Sequence, residues 1–253
     1  MKFYKSLCLL GLLALSSYSA TAVSEEKTLN VVTEPTFAPF EFVDKGTSTL
    51  IGFDIDIINA IGEAEGYKMN VSSMSFDGQI PAIITQQVDI AISGFTITEE
   101  RAKKVNFSEP YYDAGLGILI TKANSAEIKS KDALKGKTIC AQLGTSGAMY
   151  AEKVENTTVT QFNSTAEAFL ELEKGSCSAV VTDKPVIEYY LATTKNENLI
   201  MIPEQLTVEQ YGIVTSKDRK DLTDMIASGL KKIRDNGTYD KIYQKWFGNT
   251  SAK

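Results

Sequence analysis

One feature restricts the folds open to this chain more than any other. A strand–helix alternation runs from Thr28 to Ser93, breaks off, and restarts at Lys137. TLNVVTE (Thr28 to Glu34) reads as a buried strand. FDIDIINAIGEAEG then places Ile57, Ile58, Ile61 and Ala64 at helical spacing, with Asp54 as its expected N-cap and Gly66 as its stop. KMNVSSM is a second strand, FDGQIPAIITQQ a helix opened by Asp77 with Pro81 in its first turns, and VDIAIS a third strand. After the break come the strand KTICAQ, a glycine–hydroxyl turn into the helix LGTSGAMYAEKV, the strand TVTQF, a helix capped by Ser164, and the strand SAVVTD ending at Asp183. Such alternation predicts an α/β fold with a mainly parallel sheet flanked by helices, built twice as two similar lobes. The tail is helical: Leu222, Met225, Ile226, Gly229, Leu230 and Ile233 share one face, Gly237 ends that helix, and Thr238 is expected to cap a last one whose aromatics serve packing.

The ends and composition narrow the function. Lys2 and Lys5 precede a short apolar run, Ser6 to Leu15, and Ala20-Thr21-Ala22 fits a cleavage site, so residues 1–22 read as a secretory signal peptide. The run is shorter than the roughly 20 residues a membrane span needs. The expected mature protein is exported to the periplasm. Histidine is absent, which removes Ser-His-Asp and Cys-His triads and every His-ligated metal site. No metal and no cofactor are expected. With a net charge of −6 and no basic block, nucleic acid is a poor partner. Export leaves Cys140 and Cys177 either as a bridge or as two buried thiols, and an oxidising compartment favours the bridge.

Open α/β sheets bind ligands beyond the carboxyl ends of their strands. The third strand ends in Ser93-Gly94-Phe95-Thr96, with Arg101 five residues on; KTICAQ ends at Gln142 and runs into Gly144-Thr145-Ser146-Gly147; SAVVTD ends in Thr182-Asp183. An anion between Arg101 and the Thr145–Gly147 amides would meet a guanidinium fork and a helix N-terminus, and an ammonium nearby would find Asp183. Each group also has an ordinary explanation: a capped helix start at Thr98, a common βα turn, an N-cap aspartate. Their joint presence at strand ends of both lobes is the more specific signal.

The segments TEPTFAPFEF, GFDIDIINAIGE, FDGQIPAI, VDIAISGFTITEERAKKVNFSEPYY, LKGKTICAQLGTS, AVVTDKP, EQYGIV and NGTYDKIYQKWFG follow one another in family order and cover nearly the whole mature chain. With them the sequence resembles the periplasmic solute-binding proteins of polar amino-acid ABC importers (family 3, glutamine- and arginine-binding type). The resemblance implies the two-lobed periplasmic-binding-protein fold of type II. Lobe one would span 27–112 and 211–253, lobe two 115–208, with two crossover strands near Tyr111–Gly115 and Thr207–Tyr211. It implies that Arg101 grips the ligand α-carboxylate with Thr96, Thr145 and Ser146, that Asp183 takes the α-ammonium near Ser93 and Gly94, that Phe37 and Phe76 flank the side chain, and that Glu34 and Gln142 read its tip. It also sets the strands carrying Cys140 and Cys177 side by side, which supports their bridge.

The expected protein is not an enzyme. It is a monomer that captures a free polar L-amino acid by lobe closure and presents it to the permease of an ABC importer. A carboxylate at Glu34, an amide at Gln142 and two phenyl rings suit glutamine and arginine about equally. The competing reading is an exported enzyme on the same scaffold, a cyclic-acid dehydratase with Glu34 or Asp183 as general acid.

Overall fold

The computed structural model describes residues 27–248. The expected signal peptide, residues 1–22, and the last five residues lie outside the described residues. Two five-stranded sheets carry the fold. In the first, the strand order is Tyr67–Ser73, Lys27–Thr33, Ile90–Ala91, Val214–Ser216, Val105–Phe107. In the second it is Thr158–Phe162, Thr138–Gln142, Ala179–Asp183, Leu116–Thr121, Leu199–Met201. The likeness is close: in each sheet the first strand of its α/β unit sits second, and the following strand takes the edge. In each, too, the fourth position holds a strand antiparallel to its neighbours. Those two antiparallel strands, Leu116–Thr121 and Val214–Ser216, are the ones the chain forms on arriving from the other sheet. Arrival from the cleft side forces them to run against the strands that started at the far side.

Between the sheets, Tyr112–Ala114 and Glu209–Tyr211 pair as a two-stranded antiparallel ribbon. An aromatic cluster braces its base. Phe40 lies 4.9 Å from Tyr112 and 5.1 Å from Tyr211, both edge-on, and Phe53 packs edge-on against Tyr239 and Phe247 at 6.0 and 5.2 Å. The C-terminal aromatics are packing groups, as expected. The helix Lys220–Asp235 buries Leu222, Ile226, Gly229, Leu230 and Ile233. The inner strands of both sheets bury Val31, Val32, Ile139, Ala179, Val180 and Val181 almost wholly.

Several local expectations need correction. Helix Phe53–Glu65 is entered through Gly52, and Asp54 sits fully buried in its first turn instead of capping it. Gly66 does end the helix in the left-handed conformation. Helix Phe76–Ile84 starts after Ser75, so Asp77 lies in its first turn, and Pro81 falls inside the helix. The last helix, Thr238–Phe247, follows Gly237 at φ 75°, so Thr238 is its first residue. VDIAIS contributes only Ile90–Ala91 to the ladder. Ser164 caps Thr165–Glu173, as the sequence predicts, and it does so through a full capping box with Glu167. Cys140 and Cys177 are bridged, with Cα atoms 5.9 Å apart. Cys177 precedes its strand by two residues; it is Val180 that lies opposite Cys140 in the ladder.

Candidate functional site

In both sheets the strand order reverses beside the first strand, between Lys27–Thr33 and Ile90–Ala91 in one and between Thr138–Gln142 and Ala179–Asp183 in the other. Chains leave those strands in opposite directions, opening a crevice at their carboxyl ends. The two crevices face each other across one small cavity. Its wall is formed by Glu34, Phe37, Phe76, Ser93, Gly94, Thr96 and Arg101 from the first sheet's side, and by Gln142, Thr145, Ser146 and Asp183 from the second. These are all the residues the sequence assigned to a ligand. One further wall residue, Glu41, was not foreseen.

Arg101 is fixed by its own helix start. Thr98 caps Glu99–Lys104 by accepting the Arg101 N–H, which turns the guanidinium back toward the cavity. Nη1 donates to the Thr96 carbonyl at 2.9 Å, and Nη2 donates to the Gly144 carbonyl at 2.9 Å, a bond that joins the two halves. The guanidinium carbon lies 5.5 Å from the centre of the Phe76 ring and 5.6 Å from that of Phe95; the two rings stack at 4.5 Å. Burial lowers its pKa from the ordinary value, opposed by the charges of Asp183 and Glu209. Thr145 caps Ser146–Ala151, and Gly147 lets that helix start lie on the strand below, since a Cβ there would stand 2.5 Å from the Val181 carbonyl oxygen.

Asp183 occupies the N-cap position of Lys184–Thr194 but makes no capping bond. Its Oδ1 accepts the Tyr211 hydroxyl at 2.7 Å, so a crossover residue holds the second sheet's carboxylate. Burial, and then the Glu209 charge, push its pKa up to about 7. Thr96 stands 3.2 Å from the Ser146 hydroxyl across the cleft and donates to Glu209 Oε2 at 2.7 Å.

At the other end of the cavity, both oxygens of Glu34 accept from the Thr36 hydroxyl, at 2.9 and 2.8 Å. Burial raises its pKa, with hydrogen bonds from Thr36 and the Gln142 side chain opposing the rise. The Gln142 amide is oriented by donation to the Asn163 carbonyl at 3.1 Å and by accepting from Thr165 at 2.9 Å. Ser93 receives the Glu34 N–H at 2.9 Å and donates to Glu41 Oε1 at 2.9 Å. Gly94 adopts φ 54°, and a Cβ there would stand 2.9 Å from a ring carbon of Phe37. Its N–H donates to Asp54 Oδ2 at 3.0 Å, and the same oxygen accepts the Tyr111 hydroxyl at 2.8 Å.

Taken as a surface, the cavity offers a guanidinium and hydroxyls at one end, a carboxylate at its second-sheet wall, two aromatic rings, and acidic and amide groups at the far end. Tyr211 and Glu41 are the contributions that the sequence reading missed. Glu41 lies in the segment PFEF, where it looks like an exposed hairpin acid, and Tyr211 lies in EQYGIV. Among the described residues no cluster of acids and cysteines suits a metal ion.

Comparison with known proteins agrees with this architecture. An ancestral arginine-binding protein, solved with arginine and again with glutamine, superposes with a TM-score of 0.84 in both cases. The arginine complex is 43% identical and covers 87% of this chain and 98% of its own; the glutamine complex is 42% identical and covers 89% and 100%. The arginine-binding periplasmic protein of Mannheimia haemolytica is 35% identical over 224 residues, 86% of this chain and 90% of its own length. A probable histidine-binding protein of Neisseria gonorrhoeae is 31% identical over 243 residues, 93% of this chain and 90% of its own. Residues 29–249, which hold both sheets, the crossover ribbon and every wall of the cavity, match the model of a single family, and the chain belongs to the bacterial extracellular solute-binding proteins, family 3.

Proposed function

We propose that this chain is the exported, periplasmic receptor of an ABC importer, that it captures a polar L-amino acid, with arginine and glutamine the favoured ligands, and that it catalyses no reaction. The observation that carries this reading is the convergence of Arg101 and Asp183, from opposite sheets, on one cavity. A zwitterion has its two charges on one carbon, so it can bridge them: carboxylate to Arg101 and the Thr145–Ser146 turn, ammonium to Asp183. The far end, with Glu34 and Gln142, receives the side chain between Phe37 and Phe76.

Among the described residues, lobe one comprises 27–112 and 211–248, and lobe two 115–208, so the ribbon is the hinge. Ligand contacts made by both lobes at once exist only in the closed arrangement, and the ligand shifts the population toward it. The importer's permease then reads the closed shape. The names of the relatives agree with capture of arginine, glutamine or histidine. Thermal-shift measurements across the twenty L-amino acids test the reading. A cognate ligand at about a hundred times its dissociation constant adds roughly 2.7 kcal/mol of stability. If no amino acid raises the transition temperature, capture is refuted.

One observation favours a second reading. Asp183 and Glu34 are buried acids with raised pKa, the state a general acid needs. A dehydratase would turn over a cyclic acid in an ultraviolet absorbance assay, and a receptor would not.

A further inference from the structure

Glu41 and Asp54 are both wholly buried, and both sit at the side-chain end of the cavity or directly behind it. Each carboxyl has one oxygen well supplied. Glu41 Oε1 accepts from Ser93; Asp54 Oδ2 accepts from the Gly94 amide and the Tyr111 hydroxyl. Each also has one buried oxygen, Glu41 Oε2 and Asp54 Oδ1, without a conventional donor. Two unsatisfied acceptors in adjoining carboxyls are costly as a pair of anions and cost little once a proton lies between them.

The surroundings supply no positive charge to hold both ionised. Asp54 comes from the helix Phe53–Glu65, Glu34 from the end of the strand Lys27–Thr33, and Tyr111 from the segment leading into the crossover. Across the cavity stand Arg101, already bonded to two backbone carbonyls, and Asp183. Among the described residues neither carboxyl has an ion-pair partner. Burial raises Glu41 well above the usual carboxylate range, and the neighbouring Asp54 charge raises it further, which makes Glu41 the protonated member.

We infer that Glu41 and Asp54 share one proton through a hydrogen bond, and that Glu41 is a specificity-determining residue that gives up this proton when a cationic ligand side chain enters the cavity. The inference rests on the amino-acid capture proposed above and deepens it. A guanidinium approaching Glu41 stabilises the second negative charge that the pair otherwise suppresses, so the proton leaves to solvent as the cation arrives. A neutral amide brings no charge, and the proton stays. Arginine and glutamine would then occupy one cavity in two protonation states of its floor. This gives a physical account of how one site accepts both.

The test uses the mature protein near pH 8, where Asp183 is mostly ionised. Calorimetric titration in buffers of different ionisation enthalpy counts protons released. Arginine should release about one proton more than glutamine. Infrared difference spectra should show a buried carboxylic-acid carbonyl band that arginine removes and glutamine leaves. Glu41→Gln should lack the band without any ligand, lose the excess proton, and lower the arginine-to-glutamine affinity ratio about tenfold. Equal proton release by the two ligands, or a band that persists under arginine, overturns the inference on the unmodified protein. Binding of glutamine without arginine also overturns it and leaves amino-acid capture standing. No response to any amino acid removes the capture reading, and the inference falls with it.

Discussion

Arg101→Ala is the most direct perturbation of the cavity. The side chain is almost wholly buried, its two terminal nitrogens are bonded to the Thr96 and Gly144 carbonyls, and its faces lie against Phe76 and Phe95. Truncation therefore removes three things: the charge opposite a ligand carboxylate, the bond across the cleft, and packing on two rings. Removing one partner of a buried, hydrogen-bonded charge pair costs about 2–5 kcal/mol of binding. At 1.4 kcal/mol per tenfold, that is a loss between roughly thirty-fold and a few thousand-fold. Calorimetric titration with arginine and glutamine measures it, and both ligands should lose affinity to a similar extent because the carboxylate is common to them. Arg101→Lys separates charge from geometry. A lysine keeps the positive charge but cannot reach the Thr96 and Gly144 carbonyls as a planar fork, so an intermediate loss is expected. An Arg101→Ala protein that folds and binds either amino acid within about threefold of the wild type would show that this guanidinium is not the carboxylate anchor.

Four further outcomes follow from the same geometry. Asp183 has an ordinary pKa of 3.8 and a folded one of about 7, so the folded state holds its proton more tightly. The associated stability is present below about pH 4 and lost as pH rises through about 7; chemical denaturation without ligand should show Asp183→Asn less sensitive to pH across that window, by a few kcal/mol. Ammonium binding needs the ionised carboxylate, so affinity for either amino acid should weaken as pH falls below about 7 in the wild type. Reducing Cys140–Cys177, which closes a loop of sequence separation 37, should cost about 4 kcal/mol by the chain-entropy estimate, read as a lower transition temperature in reductant. Gly94→Ala forces a Cβ toward Phe37 at a left-handed backbone, and should cost about 1–2 kcal/mol in urea denaturation and weaken ligand binding.

The repeated alternation made the lobes legible, because a parallel strand buried on both faces and a helix with one apolar stripe leave clear periodic traces. Strand ends were legible for the same reason: once the strands were placed, Gln142 and Asp183 followed as their last residues and Ser93 as a residue just beyond. What was hidden depends on tertiary contact. Asp54 has the sequence position of an N-cap, yet its carboxylate turns inward to the Gly94 amide and the Tyr111 hydroxyl, partners forty and fifty-seven residues away. Glu41 belongs to a short hairpin rich in charged and small residues, and nothing local marks it as fully buried. Helix caps at Ser75 and Gly237 lie two residues and one residue before the predicted Asp77 and Thr238, because an acid or a hydroxyl in the first turn looks like one at the cap in sequence.

The charged groups of the cavity explain why closure and capture belong together. Arg101 is bonded to two neutral carbonyls, and Asp183 accepts from a phenol. Those bonds orient the groups without neutralising them, and the Asp183 and Glu209 charges offset only part of what burial costs Arg101. Buried charges that are incompletely paired remain expensive to desolvate. A zwitterion supplies the missing opposite charge to each at once, and it can do so only if the lobes stand as close as the Arg101–Gly144 and Thr96–Ser146 contacts place them. Further contacts cross the cleft: the Gln142 side chain hydrogen-bonds Glu34, and Phe42 packs on Tyr189 at 5.9 Å. Together they set the closed geometry, and a zwitterion adds the opposite charges that Arg101 and Asp183 still lack, shifting the population further toward the shape a permease would read.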